Sequence, residues 1–142
     1  MVTTPSETGM PHIWIEYSAN LRPDLNLPSL MKKVQDTAIG DGSVFPLAGA
    51  RTRGVCIDDY LVVDGHPDNA FVHVTLKIGH GRDDATKKAL GDRTFDALRE
   101  HLAPIMEQRP LGITMQIEEA PQVLSYKLNN YRDYLKARAG KN

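Results

Sequence analysis

Pro11 directly follows a methionine and heads the run His12-Ile13-Trp14-Ile15-Glu16-Tyr17-Ser18. A residue without a backbone N–H has two uses at such a place. It can mark the start of a strand and keep the preceding loop out of the sheet. It can also be a base. If translation begins at Met10 and the methionine is removed, Pro11 presents a free secondary amine, partly desolvated by the core and able to carry a proton near neutral pH. If the chain begins at Met1 the same nitrogen is an amide, and its lone pair is consumed by resonance. Arg51 and Arg82 are the other candidates. A guanidinium stays charged at any useful pH and offers a planar fork of donors that fits a carboxylate. An amine with two arginines therefore suits an anionic substrate. The same cations would hold the amine below the ~7.7–8.0 of an ordinary α-amino group.

The remaining polar residues carry weaker signals. His12 and His80 have no partner marked by spacing, His73 reads as a hydrogen-bonded sheet histidine, and Cys56 reads as packing. Gly79-x-Gly81 is too short a pattern for phosphate binding. The five histidines and one cysteine show no metal-ligand spacing and no H-E-x-x-H, so no metal is expected. A formal charge of −1 with scattered Lys and Arg argues against nucleic acid, and no apolar run is long enough for a membrane span. A single cysteine leaves no intramolecular disulfide and fits a cytoplasmic protein. The first nine residues lack the basic and apolar regions of a signal peptide and read as a polar tail.

The elements that must position Pro11, Arg51 and Arg82 follow from periodicity. The 142 residues suffice for one domain. The first strand is followed by an expected loop, Asn20 to Asn26, and then by a helix carrying Leu30, Met31, Val34 and Ala38 at helical spacing. Gly40 and Gly42 end that helix. Arg51 to Ile57 alternates as a second strand, which Tyr60 to Val63 either extend or follow as a short strand of their own. Asp64 to Asn69 is a turn cluster. Ala70 to Ile78 is the clearest strand, Asp83 to Met106 the longest helix, and Ile113, Met115 and Ile117 alternate in a last strand. A short C-terminal helix is expected within Leu124 to Leu135. The pattern is strand, helix, strand, repeated: an α+β fold in which two β-α-β units form one four-stranded sheet with both helices on one face. Residues 1–10 are expected to be a disordered extension, 11–135 the domain and 136–142 a frayed tail. In such a fold Pro11, Arg51 and Arg82 converge.

Met10-Pro11-His12, the stretch Phe45 to Arg53, the stretch Phe71 to Arg82, Glu118-Glu119 and Lys127-Leu128-Asn129-Asn130 together resemble the 5-carboxymethyl-2-hydroxymuconate isomerase family of the tautomerase superfamily. The resemblance runs from Met10 to about Leu135. It implies a homotrimer of tautomerase-like chains, free of metal and cofactor. It implies an isomerase of a small anionic muconate-type substrate in bacterial breakdown of homoprotocatechuate, the catechol formed from 4-hydroxyphenylacetate. It assigns the proton transfer to Pro11 and the holding and polarising of substrate to Arg51 and Arg82. The residues before Met10 depart from the family pattern, and they open a second reading: a trimeric ligand-binding protein of the same fold whose proline amine is blocked.

Overall fold

The computed structural model describes residues 10–140. Apart from Met10, the extension expected over 1–10 lies outside the described residues, as do 141–142. Strand β1, His12–Ser18, starts one residue after the proline that cannot donate to a ladder, and it buries Ile13, Ile15 and Tyr17 on one face. Helix α1, Arg22–Leu25, and helix α2, Leu27–Ile39, follow. Strand β2 is Arg51–Ile57, strand β3 Ala70–Ile78, helix α3 Asp84–Met106, strand β4 Leu111–Glu119 and helix α4 Tyr131–Ala139.

The sheet order is β2-β1-β3-β4. β1 is parallel to β2 with His12 opposite Arg51, and antiparallel to β3 with His12 opposite Lys77. β3 is parallel to β4, with Ala70 opposite Leu111. Each half is thus a strand, a helix and a parallel strand, and the halves meet through their first strands. The alternation in Ala70–Ile78 leaves Ala70, Val72, Val74, Leu76 and Ile78 at 0–1% exposure. They share one core with Leu30, Val34 and Ala38 of α2 and Leu90, Leu98 and Leu102 of α3. Burying each of these leucines removes enough apolar surface from water to contribute about 1.5–3 kcal/mol. The two long helices touch, and Arg93 of α3 donates to the carbonyls of Thr37 and Ala38, satisfying acceptors that the end of α2 leaves open. The Asp83 carboxylate caps α3 by accepting from the Thr86 N–H at 2.8 Å, and that bond holds its pKa below the usual value. No described helix is long and apolar enough to cross a membrane.

Three sequence expectations change. The expected loop from Asn20 to Asn26 instead contains a 3-10 turn, Ala19–Leu21, and the single turn α1. Leu21 and Leu25, four residues apart, are both buried, while Pro23 sits in the first turn, where its missing N–H costs nothing. Tyr60 to Val63 is neither a strand nor an extension of β2. Leu61 is 84% and Val63 93% exposed, so no core contact draws them into the sheet. The C-terminal helix starts only at Tyr131, with no helical turn between Leu124 and Asn130, and it runs through 136–139. Leu124, Tyr126 and Leu128 are spaced by two, so they make no helix face, and the Asn129 side chain turns the chain by accepting from the Tyr131 N–H.

Gly54 on β2 gives this packing a direct test. A Cβ there would stand 2.6 Å from Leu27 Cδ2, at the base of α2. Gly54→Ala is expected to cost about 1–3 kcal/mol of stability by overpacking. Urea unfolding measures it, and an unchanged midpoint would show that Leu27 swings aside without cost.

Candidate active site

One end of the sheet collects the starts of β1 and β2 and the close of β3, because β3 runs antiparallel to β1. The Arg51 N–H donates to the Pro11 carbonyl at 3.1 Å, so the ladder itself sets the arginine beside the proline. Upstream of Arg51, Pro46 leads into the 3-10 turn Leu47–Gly49. Gly49 lets that turn approach closely: a Cβ on it would meet the Met10 Cα at 3.2 Å, a tight contact that would push the two backbones apart by a few tenths of an ångström. The buried Met10 packs against that turn, and its carbonyl carbon is the amide partner of the Pro11 nitrogen.

A cavity of about 260 Å³ opens at this end. Met10, His12, Gly49 and Arg51 line it on the strand side, and Tyr126 to Asn129 line it from the segment after β4. The Arg51 guanidinium is held by the His12 ring, with Nη1 to Nε2 at 2.6 Å, by the Gly49 carbonyl at 3.5 Å, and by the face of Tyr131 at 5.1 Å. Burial, followed by the charges of Arg51, Arg53, Lys127 and Lys77, pushes His12 down from 6.5 to about 4. Every charge in that set is positive, so the cavity is suited to an anion and His12 is neutral at physiological pH. Arg53 and Lys77 reach the region across Trp14, at 4.1 Å and 5.7 Å from its ring centre.

The sequence candidates are therefore not placed alike. Arg51 lines the cavity; Pro11 is buried behind that wall, between the lining residues Met10 and His12, and its carbonyl accepts from the Arg51 N–H without Pro11 itself lining the cavity. Arg82 lies in the loop between β3 and α3, where its Nη2 donates to the Val44 carbonyl at 3.0 Å and its guanidinium lies 5.5 Å from the Phe45 ring centre. It is not one of the residues lining the cavity. His73 bonds Thr114 Oγ1 at 2.6 Å within the sheet. Cys56 packs against the core and accepts from Arg22 Nε at 3.1 Å, a basic neighbour 34 positions away that local spacing does not reveal. His12, Tyr126, Lys127 and Tyr131 belong to the site's surroundings without having been singled out for a role. In the sequence Lys127 is signalled by the motif Lys127-Leu128-Asn129-Asn130 and His12 by Met10-Pro11-His12, whereas Tyr126 and Tyr131 carry no signal. Among the described residues, no group of three His, Cys, Asp or Glu is placed to hold a metal.

The paired β-α-β sheet is the fold of the tautomerase superfamily. A fused 4-OT solved as a symmetric trimer shares it at a TM-score of 0.59 and 19% identity, over 84% of this chain and 93% of its own. Within that class the relation is narrower. The profile of the 5-carboxymethyl-2-hydroxymuconate isomerase family matches residues 11–135. The 5-carboxymethyl-2-hydroxymuconate Delta-isomerase of Escherichia coli is 41% identical over 121 residues, 85% of this chain and 95% of that protein. The crystal structure of a 5-carboxymethyl-2-hydroxymuconate isomerase from Deinococcus radiodurans R1 superposes with a TM-score of 0.86 at 34% identity, over 90% and 96% of the two chains. The chain belongs to the 5-carboxymethyl-2-hydroxymuconate isomerase family.

Proposed function

We propose that the protein isomerises 5-carboxymethyl-2-hydroxymuconate to 5-carboxymethyl-2-oxo-hex-3-ene-1,6-dioate, with Pro11 as the base. The observation that carries this reading is the position of Met10. It lines the cavity beside Arg51 and is bonded to the Pro11 nitrogen, so a chain beginning at Pro11 would present its amine at the cavity wall. The amine takes the proton of the substrate's 2-hydroxyl, the double bonds shift, and the same proton is delivered to the distal carbon. No proton or electron is gained or lost overall. Arg51 binds carboxylate and stabilises the dienolate charge that develops between the two transfers. Arg82 acts with it from the loop before α3.

The trimer belongs to the same reading. The face of the sheet away from α2 and α3 carries Trp14, Val55 and Phe71 half-exposed, and Tyr126 and Leu128 are each 87% exposed beside the cavity. A second and third copy of the chain would cover these surfaces, which a lone domain leaves in water. The reaction sits in bacterial breakdown of homoprotocatechuate, in the cytoplasm. Light scattering is expected to give three times the chain mass at micromolar concentration. Loss of the dienol's ultraviolet absorbance is expected when protein beginning at Pro11 meets the substrate. A fully active monomer would overturn the assembly, and an inert Pro11 form would overturn the activity.

A further inference from the structure

We infer that His12 is a positioning residue for Arg51: its neutral ring accepts a hydrogen bond from the guanidinium through Nε2 and fixes the direction in which the arginine meets an anion. The inference rests on the proposed role of Arg51 as the carboxylate-binding group. A guanidinium can only donate, so at a separation of 2.6 Å the His12 Nε2 must be the unprotonated nitrogen, and the ring proton must sit on Nδ1. This excludes the obvious alternative use of a histidine beside a proton-transfer site. With its one lone pair committed to Arg51, His12 has none to offer a substrate proton.

The surroundings keep it in that state. The charged groups acting on His12 are Arg51 and Arg53 from β2, Lys77 from β3 and Lys127 from the segment after β4, all cations. Protonating the ring would add a fifth positive charge and turn the acceptor into a second donor facing Arg51. The cations that attract an anion thus also secure the acceptor that aims one of them. The other restraints on Arg51 are weaker in direction: the Gly49 carbonyl lies at the 3.5 Å limit of a hydrogen bond, and the Tyr131 face holds the charge without fixing its rotation. Among these contacts with described residues, the bond to His12 is the short and directional one.

Two measurements on the full-length chain test this without relying on turnover. Nitrogen-15 NMR is expected to show His12 as the Nδ1–H tautomer, unprotonated from pH 8 to pH 5, with Arg51→Ala raising the pH at which it titrates. An Nε2–H tautomer, or protonation near pH 6.5 in the unaltered chain, would overturn the inference. Calorimetry with the dicarboxylate cis,cis-muconate reads the consequence. His12→Phe removes the acceptor and is expected to weaken binding about tenfold or more, as for a lost hydrogen bond to a charged group. His12→Gln, whose amide oxygen can replace Nε2, should stay within about threefold of the original. His12→Phe should add nothing in the Arg51→Ala background. Equal weakening by Phe and Gln, additive losses in the double variant, or no binding of the probe by the unaltered chain would each overturn it. An inert Pro11 form with these results intact would overturn the proposed reaction and leave His12's role standing.

Discussion

Protein beginning at Pro11 is expected to turn over 5-carboxymethyl-2-hydroxymuconate about 10²–10⁴-fold faster than protein retaining residues 1–10, the range a positioned general base contributes. The physical reason is bonding: while Met10 is attached, the Pro11 nitrogen is an amide without a basic lone pair. Met10 also occupies part of the cavity wall where substrate would bind. The pH dependence carries an internal check. His12, the next residue, is pushed to about 4 by burial and four nearby cations. A free Pro11 amine next to His12 is expected to feel the same cations, which would lower its pKa from that of an ordinary secondary amine. The amine must be neutral to accept a proton, so activity should rise with pH through that lowered pKa and be near its plateau at pH 7. Pro11→Ala in the short form should keep part of the activity, because a primary amine still accepts a proton. Equal rates from the long and short forms, with the long form's mass intact after the assay, would sink the proline-base mechanism.

The second large effect is expected at the arginines. Arg51→Ala should lose about 2–4 kcal/mol of transition-state stabilisation, seen as a fall of roughly 30- to 1000-fold in kcat/KM. Arg51→Lys should recover only part of it, since an ammonium keeps the charge but not the planar fork that meets both a carboxylate and His12. Arg82→Ala is expected to lose a similar amount. Arg82 spends one donor on the Val44 carbonyl and lies over Phe45, so its contribution is separable from the fold by urea unfolding alongside the kinetics. Near-normal turnover with lowered stability would make Arg82 a brace for the 44–45 turn. Near-normal turnover in Arg51→Ala would remove the anion-binding role on which the mechanism depends.

What the sequence determined by itself is the local order of the chain. A period of two buries alternate residues of Ala70–Ile78, and steps of three and four residues bury one side of α2 and α3, because backbone geometry sets both repeats. The start of α3 is legible in the same way as far as a choice between Asp83 and Asp84, since a cap is a contact between residues three apart, and the structure makes Asp83 the cap. The tertiary structure decided whatever depends on partners distant in sequence. His12 and Arg51 are 39 positions apart and meet only because β1 and β2 pair in one register. Slipping that register by one residue would turn Arg51 to the opposite face of the sheet. Lys127 joins the cavity, and Tyr131 joins Arg51, only because the segment after β4 returns to the start of β1. Arg82 shows the limit from the other side: its loop was legible, but where a long side chain on a loop points is settled by the carbonyl and ring it finds, here Val44 and Phe45. Spacing along a chain encodes which face a residue shares with its near neighbours, and only the folded sheet brings an acceptor, a guanidinium and a lysine from three segments to one cavity.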